Sequence, residues 1–151
     1  MHYDKLKIKE YKYWDLYLKD GQYPYIGRCY VFCKREEVDL VTDMKKEESE
    51  ELFFTIIPEW HNSVKKLFGC DRPNVSCLGN LWNHLHWHLI PRYNSPKEFY
   101  GIKFIDPNPK GNYSPHDKRE IKDEILLKIK EDISKELNLP VKLSLTGNQI
   151  H

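Results

Sequence analysis

Three histidines at alternating positions constrain the fold of this chain more than any other feature. They are His84, His86 and His88, and the residues between and after them are apolar: Leu85, Trp87 and Leu89. Because successive side chains of a β-strand point to opposite faces, a strand would place the three imidazoles on one side. In a helix, residues i and i+2 lie about 200° apart, and the rings would scatter. Pro91 also opposes a helix. The segment 83–93 is therefore predicted to be extended, with a histidine face.

Such a row of imidazoles has three interpretations. The first is a half-exposed strand that carries histidines as ordinary polar residues. The second is a zinc site formed by two of the rings and a ligand from elsewhere, because residues i and i+4 lie about 13 Å apart and strain two bonds of about 2.1 Å to one ion. The third is nucleophilic catalysis, since the ordinary pKa of imidazole, about 6.5, leaves the neutral nucleophile available near pH 7. We favour the third, with phosphorus as the electrophile and the flanking rings gripping an anionic group.

Composition narrows the class of protein. A chain of 151 residues is expected to form one domain. The 24 basic residues nearly balance the 23 acidic ones, which predicts local phosphate recognition and no nucleic-acid partner. The sequence begins without the apolar core of a signal peptide and holds no run of 18 apolar residues, so we expect no membrane partner and a cytoplasmic location.

The four cysteines, at positions 29, 33, 70 and 77, form no Cys-x-x-Cys motif. Cys29 and Cys33 would lie about 13 Å apart on a straight strand, which is too far for a disulfide. The sequence therefore predicts buried free thiols in a reducing cytosol.

Periodicity predicts an α+β domain with an antiparallel sheet. Residues 13–19 alternate as a strand and are joined by an Asp-Gly turn to a second strand at 27–34, which together suggest a hairpin. Apolar residues at steps of three and four predict a long helix over 44–68, kinked at Pro58 and ended by Gly69.

The second half of the chain is predicted to start with a short strand at 74–78 that leads into the histidine strand. A loop over 94–113 follows. Ser114 is expected to cap a C-terminal helix with a stripe of apolar residues every fourth position: Ile121, Ile125, Ile129, Ile133 and Leu137. Residues 141–145 are a candidate edge strand.

The segment from His84 to Ile90 resembles the histidine triad (HIT) pattern, His-φ-His-φ-His-φ-φ with φ apolar, and Pro91-Arg92 is also frequent after that motif. The similarity runs from about Trp14 to Tyr93. It is strongest to small bacterial-type HIT proteins with a Leu-His-Trp-His motif, the diadenosine polyphosphate hydrolase-like group. The resemblance implies a HIT-like domain over 13–113. The charged residues 1–12 are expected to form an N-terminal extension, and residues 114–151 a C-terminal helix and tail packed on the domain or on a second subunit.

By the same resemblance, His86 is the nucleophile that attacks the α-phosphorus of a nucleotide. His88 contacts the phosphate and helps to protonate the leaving group, and His84 orients the cluster. No cofactor or metal is required for the attack, although magnesium can arrive with the substrate. HIT proteins of this kind commonly form homodimers, so a homodimer is expected.

The resemblance also implies a nucleotide-binding set outside the triad. Asp20 and Arg28 have the family spacing of eight residues, with Asp20 on the ribose hydroxyls and Arg28 on phosphate oxygens. An ordinary Asp-Gly turn and a solvated surface arginine are the alternatives. Asn74 and Asn80 are candidate donors to phosphate. Leu81 stands where some relatives have a hydroxyl that assists the leaving group, which favours polyphosphate over phosphoramidate substrates.

The expected function is that of a HIT-type hydrolase or nucleotidyl transferase acting on phosphoric anhydrides or nucleoside phosphoramidates. The substrate would be a nucleoside monophosphate conjugate such as a dinucleoside polyphosphate. A nucleotide-binding protein with little catalysis and a metal-binding module are the rival interpretations.

Overall fold

A computed structural model describes residues 3–139, which form a five-stranded antiparallel sheet with helices packed against it. The strands follow the order β1-β2-β3-β5-β4. Their bounds are Lys7–Glu10 for β1, Trp14–Leu18 for β2, Cys29–Cys33 for β3, Arg72–Ser76 for β4 and His86–Arg92 for β5. The predicted α+β class and antiparallel sheet are confirmed.

The predicted hairpin is formed by β2 and β3, which pair antiparallel with Leu18 opposite Cys29. Every second residue of β2 is buried and the residues between are partly exposed. The alternation therefore gives the sheet one apolar face for the core and one face that carries polar and aromatic side chains.

The predicted long helix over 44–68 is one helical segment with an irregular turn inside it. Helix α1 spans Lys46–Glu51, a π-helical turn spans Leu52–Ile56, and α2 spans Ile57–Phe68. The widened turn directly precedes Pro58, which cannot donate a backbone hydrogen bond to the preceding turn. Gly69 ends the segment in the left-handed conformation with φ +73°, as predicted.

The core lies between the helical segment and the apolar face of the sheet. It includes fully buried side chains from both layers: Trp14, Leu16, Val31, Leu89, Leu52, Ile56, Trp60 and Val64. The four cysteines are free and at least partly buried, which confirms the prediction of free thiols. None of the helices within residues 3–139 is long and apolar enough to cross a membrane.

Residues 3–10 pack against the domain, and residues 7–10 form an edge strand of the sheet. A 3-10 turn at Tyr3–Leu6 buries Leu6, and β1 then pairs antiparallel with β2. This strand was not predicted because its sequence, Lys-Ile-Lys-Glu, is mostly charged. An edge strand tolerates such charges on its exposed side. A second 3-10 turn lies at Val41–Asp43.

The C-terminal part differs most from the sequence prediction. The expected loop over 94–113 contains a small hairpin of β6, Lys97–Phe99, and β7, Ile102–Phe104. Helix α3 spans Asp123–Leu137, so the start predicted at Ser114 is wrong.

Residues 114–122 form no helix because their side chains are engaged in tertiary contacts with the first hairpin. The ring of His116 lies 5.3 Å from that of Tyr25, and the guanidinium of Arg119 lies 4.2 Å from the centre of the Tyr23 ring. Within α3 the apolar stripe is confirmed, since Ile129 and other members of it are buried against α2 and β1. The strand expected at 141–145 lies outside the described residues.

Candidate active site

Two of the three histidines lie side by side on the face of the sheet opposite to the helices. In the β3–β5 ladder, His86 pairs with Phe32 and His88 pairs with Tyr30. The two imidazole centres are 5.2 Å apart, and the Tyr30 ring lies edge-on to His88 at 4.9 Å. The predicted alternation therefore holds for these two rings.

His84 departs from the prediction because it precedes β5 and does not belong to it. Its ring Nε2 lies 2.7 Å from the carbonyl oxygen of Cys33, at the end of the neighbouring strand. Although outside the strand, the His84 ring lines the same cavity as Phe32 and Trp82. The His84 ring is thus held by its hydrogen bond to the main chain of Cys33 and not by strand pairing.

A backbone hydrogen bond sets the tautomer of His86. Its Nδ1 lies 2.6 Å from the carbonyl oxygen of His84. A carbonyl can only accept, so Nδ1 of the neutral ring must carry the hydrogen and Nε2 must carry the free lone pair. With only 6% of His86 exposed, this lone pair is shielded from bulk water. The arrangement supplies a positioned nucleophile.

His88 is held in its neutral form. Burial, the positive charge of Arg28, and the neighbouring His86 and Lys19 together lower the pKa of His88 to about 3. Its Nδ1 atom is buried and makes no hydrogen bond within residues 3–139. An anion placed beside this ring would stabilise the imidazolium and raise the pKa.

Arg28 is a buried cation for which residues 3–139 provide no counter-ion. Only 5% of it is exposed, its guanidinium stacks 5.3 Å from the ring centre of Tyr113, and its Nε makes no hydrogen bond in the described part of the chain. Burial lowers the pKa of the guanidinium. Because an unpaired buried charge costs several kcal/mol, such a group favours binding of an anion. Its burial excludes the alternative of a solvated surface arginine.

The loop between β2 and β3 is held by Gln22, which the sequence did not single out. The fully buried Gln22 amide donates to the carbonyl oxygens of Lys19 at 2.7 Å and Arg28 at 2.8 Å, and it accepts from the Gly27 N–H at 2.7 Å. These bonds join both ends of the loop. Gln22 therefore fixes where Asp20 and Arg28 stand relative to the histidines.

Asp20 fits both of its interpretations. One of its carboxylate oxygens accepts from the Gly21 N–H at 2.9 Å, as in an ordinary Asp-Gly turn. At the same time the side chain is exposed and lines two cavities that also share Tyr3 and Tyr30. The turn thus presents a carboxylate to both cavities.

Two cavities adjoin the histidine strand: His84 lines the first and His88 lines the second, whereas His86 lies between them and lines neither. The first has a volume of about 740 Å³ and a mainly aromatic wall: Tyr3, Tyr17, Tyr30, Phe32 and Trp82. The second has a volume of about 820 Å³ and includes His88, Arg28 and Tyr113. They differ in chemistry, because one offers ring faces and the other offers charged and hydrogen-bonding groups.

The two predicted amide donors are placed away from these cavities. The Asn74 side-chain oxygen accepts from Arg92 at 3.0 Å, and Asn80 is exposed. Neither lines the two cavities. Leu81 is fully exposed and borders the second cavity, so no hydroxyl is supplied from its position.

Arg92 was missed as a functional residue because its partners are distant in sequence. The buried guanidinium bonds the Asp106 carboxylate at 2.7 and 3.0 Å, and also bonds the carbonyl oxygens of Asn108 and Gly111. The segment after β7 is thereby fixed to the histidine strand. Within residues 3–139, no three or more His, Cys, Asp or Glu side chains are grouped so as to hold a metal ion.

Comparison with known proteins relates the chain to one group through structure alone. No protein-family model matches the sequence, and a search of curated proteins found no significant match. Among solved structures, a histidine triad protein from Marinobacter aquaeolei is 22% identical with a TM-score of 0.66, over 91% of this chain and 95% of that one. A histidine triad protein from Sinorhizobium meliloti is 18% identical with a TM-score of 0.67, over 87% and 88%.

A third similar structure is a hypothetical histidine triad nucleotide-binding protein from Sulfolobus tokodaii, 15% identical with a TM-score of 0.64, over 87% of this chain and 83% of that one. These likenesses extend over most of each chain and include the five-stranded antiparallel sheet and its helices. The chain therefore has the fold of the histidine triad proteins.

Proposed function

We propose that this protein is a nucleotide hydrolase or nucleotidyl transferase that forms a covalent nucleotidyl-histidine at His86. One observation carries the proposal: the Nε2 lone pair of His86 is fixed by the carbonyl of His84. The neighbouring ring of His88, 5.2 Å away, lies within the electrostatic influence of the buried cation Arg28. A nucleophile next to an anion-binding group is what attack on a phosphate requires. The solved structure from Sulfolobus tokodaii, described as nucleotide-binding, supports a nucleotide as the ligand.

The proposed reaction has two steps. The Nε2 lone pair of His86 attacks the α-phosphorus of a nucleoside monophosphate conjugate, such as a dinucleoside polyphosphate. The bond from phosphorus to the leaving group breaks, and its electron pair goes to the leaving oxygen. The Nδ1 hydrogen stays on the ring, bonded to the His84 carbonyl. Water or another acceptor then attacks the phosphorus, its proton passes to the now neutral His88, and the bond from phosphorus to Nε2 breaks, which regenerates neutral His86 and releases the nucleotide.

His88 and Arg28 would stabilise the negative charge on the phosphate oxygens and on the leaving oxygen. The Arg28 guanidinium suits two phosphate oxygens at once. His88, neutral in the free protein, would gain a proton once a phosphate lies beside it and then protonate the leaving oxygen. No metal is needed for the attack, and any magnesium would enter with a polyphosphate substrate.

The aromatic cavity is proposed to hold the nucleoside. Ring faces such as those of Tyr30 and Phe32 stack on bases, at about 1–3 kcal/mol per base. The Asp20 carboxylate at the border of both cavities would accept hydrogen bonds from the ribose hydroxyls. Asn74 and Asn80 are not assigned to the substrate in this arrangement.

We also infer a homodimer in a cytoplasmic setting. β4 is a sheet edge, and Phe53, which lies 5.4 Å from Trp87 of β5, is followed by Phe54, which is 81% exposed. A sheet edge and exposed aromatic rings both suit a two-fold self-contact. Light scattering at micromolar concentration should give twice the chain mass, and Phe54→Glu should reduce it. A wild-type mass of one chain would contradict the dimer.

The test of the proposed function compares nucleotide release with nucleotide binding. Wild type and His86→Asn are incubated with dinucleoside polyphosphates and nucleoside phosphoramidates, and released monophosphate is measured. His61→Asn serves as the matched control, because His61 lies on α2, which packs against the other face of the sheet. Release should be lost only in His86→Asn. Binding without release by wild type would instead favour the rival interpretation, a nucleotide-binding protein.

A further inference from the structure

The first cavity combines aromatic walls with carboxylates. Asp4, Asp15 and Asp20 line it, whereas no lysine or arginine of residues 3–139 does. We propose that Asp15 makes this cavity selective for guanine, because its carboxylate accepts both N–H groups of the Watson–Crick edge of that base. The inference rests on the proposed function, which places the nucleoside here. It goes further by naming the base and the residue that selects it.

Asp15 lies on the same face of the sheet as the nucleophile, two strands away from it. Asp15 of β2 is paired with Phe32 of β3, and Phe32 is paired with His86 of β5. Side chains of paired residues share a face, and neighbouring strands are about 4.8 Å apart, so Asp15 and His86 are separated by about 10 Å of sheet. A nucleotide whose phosphorus lies at His86 can therefore extend its base over Phe32, with the far edge of the base at Asp15.

Aromatic rings between these two residues supply faces for the base. The ring of Phe32 lies 5.3 Å from that of Tyr17 and 5.0 Å from that of Trp82. Trp82 is 57% exposed, so part of its indole is available to a ligand. Stacking of this kind tolerates any base, because every base has a π face. The rings therefore hold a base without choosing among bases.

The Asp15 carboxylate has acceptor capacity that the described chain does not use. Its Oδ1 atom is buried and accepts no hydrogen bond from residues 3–139. The Lys34 amine lies 3.8 Å from Oδ1, beyond hydrogen-bond distance, and donates instead to the carbonyl oxygen of Tyr11. The Asp15 side chain is 20% exposed, and its χ2 torsion is broad, so rotation can turn both oxygens towards the cavity. The carboxylate is therefore available to a ligand that supplies donors.

The other charges near this cavity leave the base edge to Asp15. Lys7 donates to a glutamate of its own strand at 2.8 Å, Lys19 donates to a tyrosine hydroxyl of β3 at 2.7 Å, and neither lines the cavity. Asp4 and Asp20 are exposed, so solvent screens them more than the partly buried Asp15. Asp20 also belongs to the turn after β2 and is assigned to the ribose.

Guanine is the base whose edge complements a carboxylate. Its N1–H and 2-amino groups are adjacent donors, and an ionised carboxylate offers two oxygens that only accept. Adenine and cytosine present an amino group beside a ring nitrogen whose lone pair a carboxylate repels, and uracil presents one N–H between two carbonyl oxygens. Hydrogen bonds to a charged acceptor are strong, and a base without both donors loses them. Adenine nucleotides therefore still bind, through stacking and their phosphates, but more weakly than guanine nucleotides.

The experiment compares the affinities of GMP, inosine 5′-monophosphate and AMP for His86→Asn, in which the covalent step is blocked. Inosine lacks only the 2-amino group of guanosine and so tests that donor by itself. GMP should bind about tenfold or more tightly than AMP, with inosine monophosphate between them. Adding Asp15→Asn should weaken GMP binding about tenfold and change AMP binding by less than about twofold, which also shows that the variant is folded. The control Glu10→Gln removes the same charge from the neighbouring strand, outside both cavities, and should leave all three affinities unchanged.

A kinetic arm separates this inference from the proposed function. It measures kcat/KM for diguanosine and diadenosine tetraphosphate with wild type and with Asp15→Asn. Wild type should prefer the guanine substrate, and Asp15→Asn should abolish that preference. Equal kcat/KM values in wild type, AMP binding as tight as GMP binding, no GMP binding, or an equal loss of both ligands in Asp15→Asn would each overturn the role of Asp15. If neither substrate is turned over, the proposed function fails, while the ratio of GMP to AMP affinity still decides the base preference.

Discussion

The guanidinium of Arg28 stacks 5.3 Å from the ring centre of Tyr113. A cation of the first hairpin is therefore covered by residues 113–120, here called the crossing segment. This contact joins two parts of the chain that are far apart in sequence, and it buries the charge without neutralising it. Tyr113 in turn lies against Ser76, the partner of His88 in the sheet. The crossing segment therefore shapes the surroundings of the third histidine.

Arg28→Met should make the protein more stable and a weaker nucleotide binder. The substitution keeps a long apolar side chain and removes an unpaired buried charge, so we expect a gain of about 1–3 kcal/mol in the free energy of unfolding. Affinity for AMP should fall at least about tenfold through loss of the phosphate contact. Urea denaturation and calorimetric titration measure the two effects, and a destabilised variant with unchanged affinity would contradict the role of Arg28.

The stability of the free protein should fall on acidification because of His88. Its folded pKa, about 3, lies below the ordinary value of 6.5, so the unfolded state takes up a proton that the folded state does not. The contribution of the neutral ring is fully present above pH 6.5 and is lost as the pH falls towards 3. His88→Gln should make the free energy of unfolding depend less on pH across this window. Identical pH profiles for the two proteins would refute the assignment.

Nucleotide binding should be accompanied by proton uptake. A phosphate next to His88 favours the imidazolium, which opposes the effects of burial and of Arg28 on its pKa. Titration calorimetry near pH 6 in two buffers of different ionisation enthalpy should show protons taken up by wild type and fewer by His88→Gln. Binding enthalpies that do not depend on the buffer would argue against protonation of His88.

The common face of His86 and His88 was predictable because it depends only on the two-residue period of a strand, whereas the position of His84, outside β5, was not. The first hairpin was predictable from the same period, and the apolar stripe of α3 from its four-residue repeat. The start of α3 was not predictable: Ser114 and Pro115 form a local helix signal, yet His116 and Arg119 are held by Tyr25 and Tyr23 instead. Tertiary contacts outweighed local preference there.

Two further functional residues, Gln22 and Arg92, were not predicted because their hydrogen-bond partners become apparent only in the folded chain. Gln22 is polar and lies in a turn, and only the structure shows that its amide is fully buried and joins both ends of the loop. Arg92 belongs to the motif, but its partner Asp106 lies beyond β7. No periodicity or spacing connects such pairs, because their proximity depends on the completed fold.

Removal of Arg92 should destabilise the fold and disturb the second cavity. Arg92→Met would leave the buried Asp106 carboxylate without its partner, at a cost of about 3–5 kcal/mol in the free energy of unfolding. The double variant Arg92→Met/Asp106→Leu should recover part of that loss, since it removes the unpaired charge. Urea denaturation measures both. A loss below about 1 kcal/mol in the single variant would contradict the anchoring role of this ion pair.

The most direct test of the central claim is a search for the covalent intermediate. The protein is mixed with diadenosine tetraphosphate, quenched within the first turnovers and measured by intact-protein mass spectrometry, and the modified peptide is then sequenced. The expected result is one adenylyl group per chain, attached to His86, absent from His86→Asn and present in His61→Asn. Release of nucleotide with no adduct on His86, or an adduct that persists in His86→Asn, would contradict the claim.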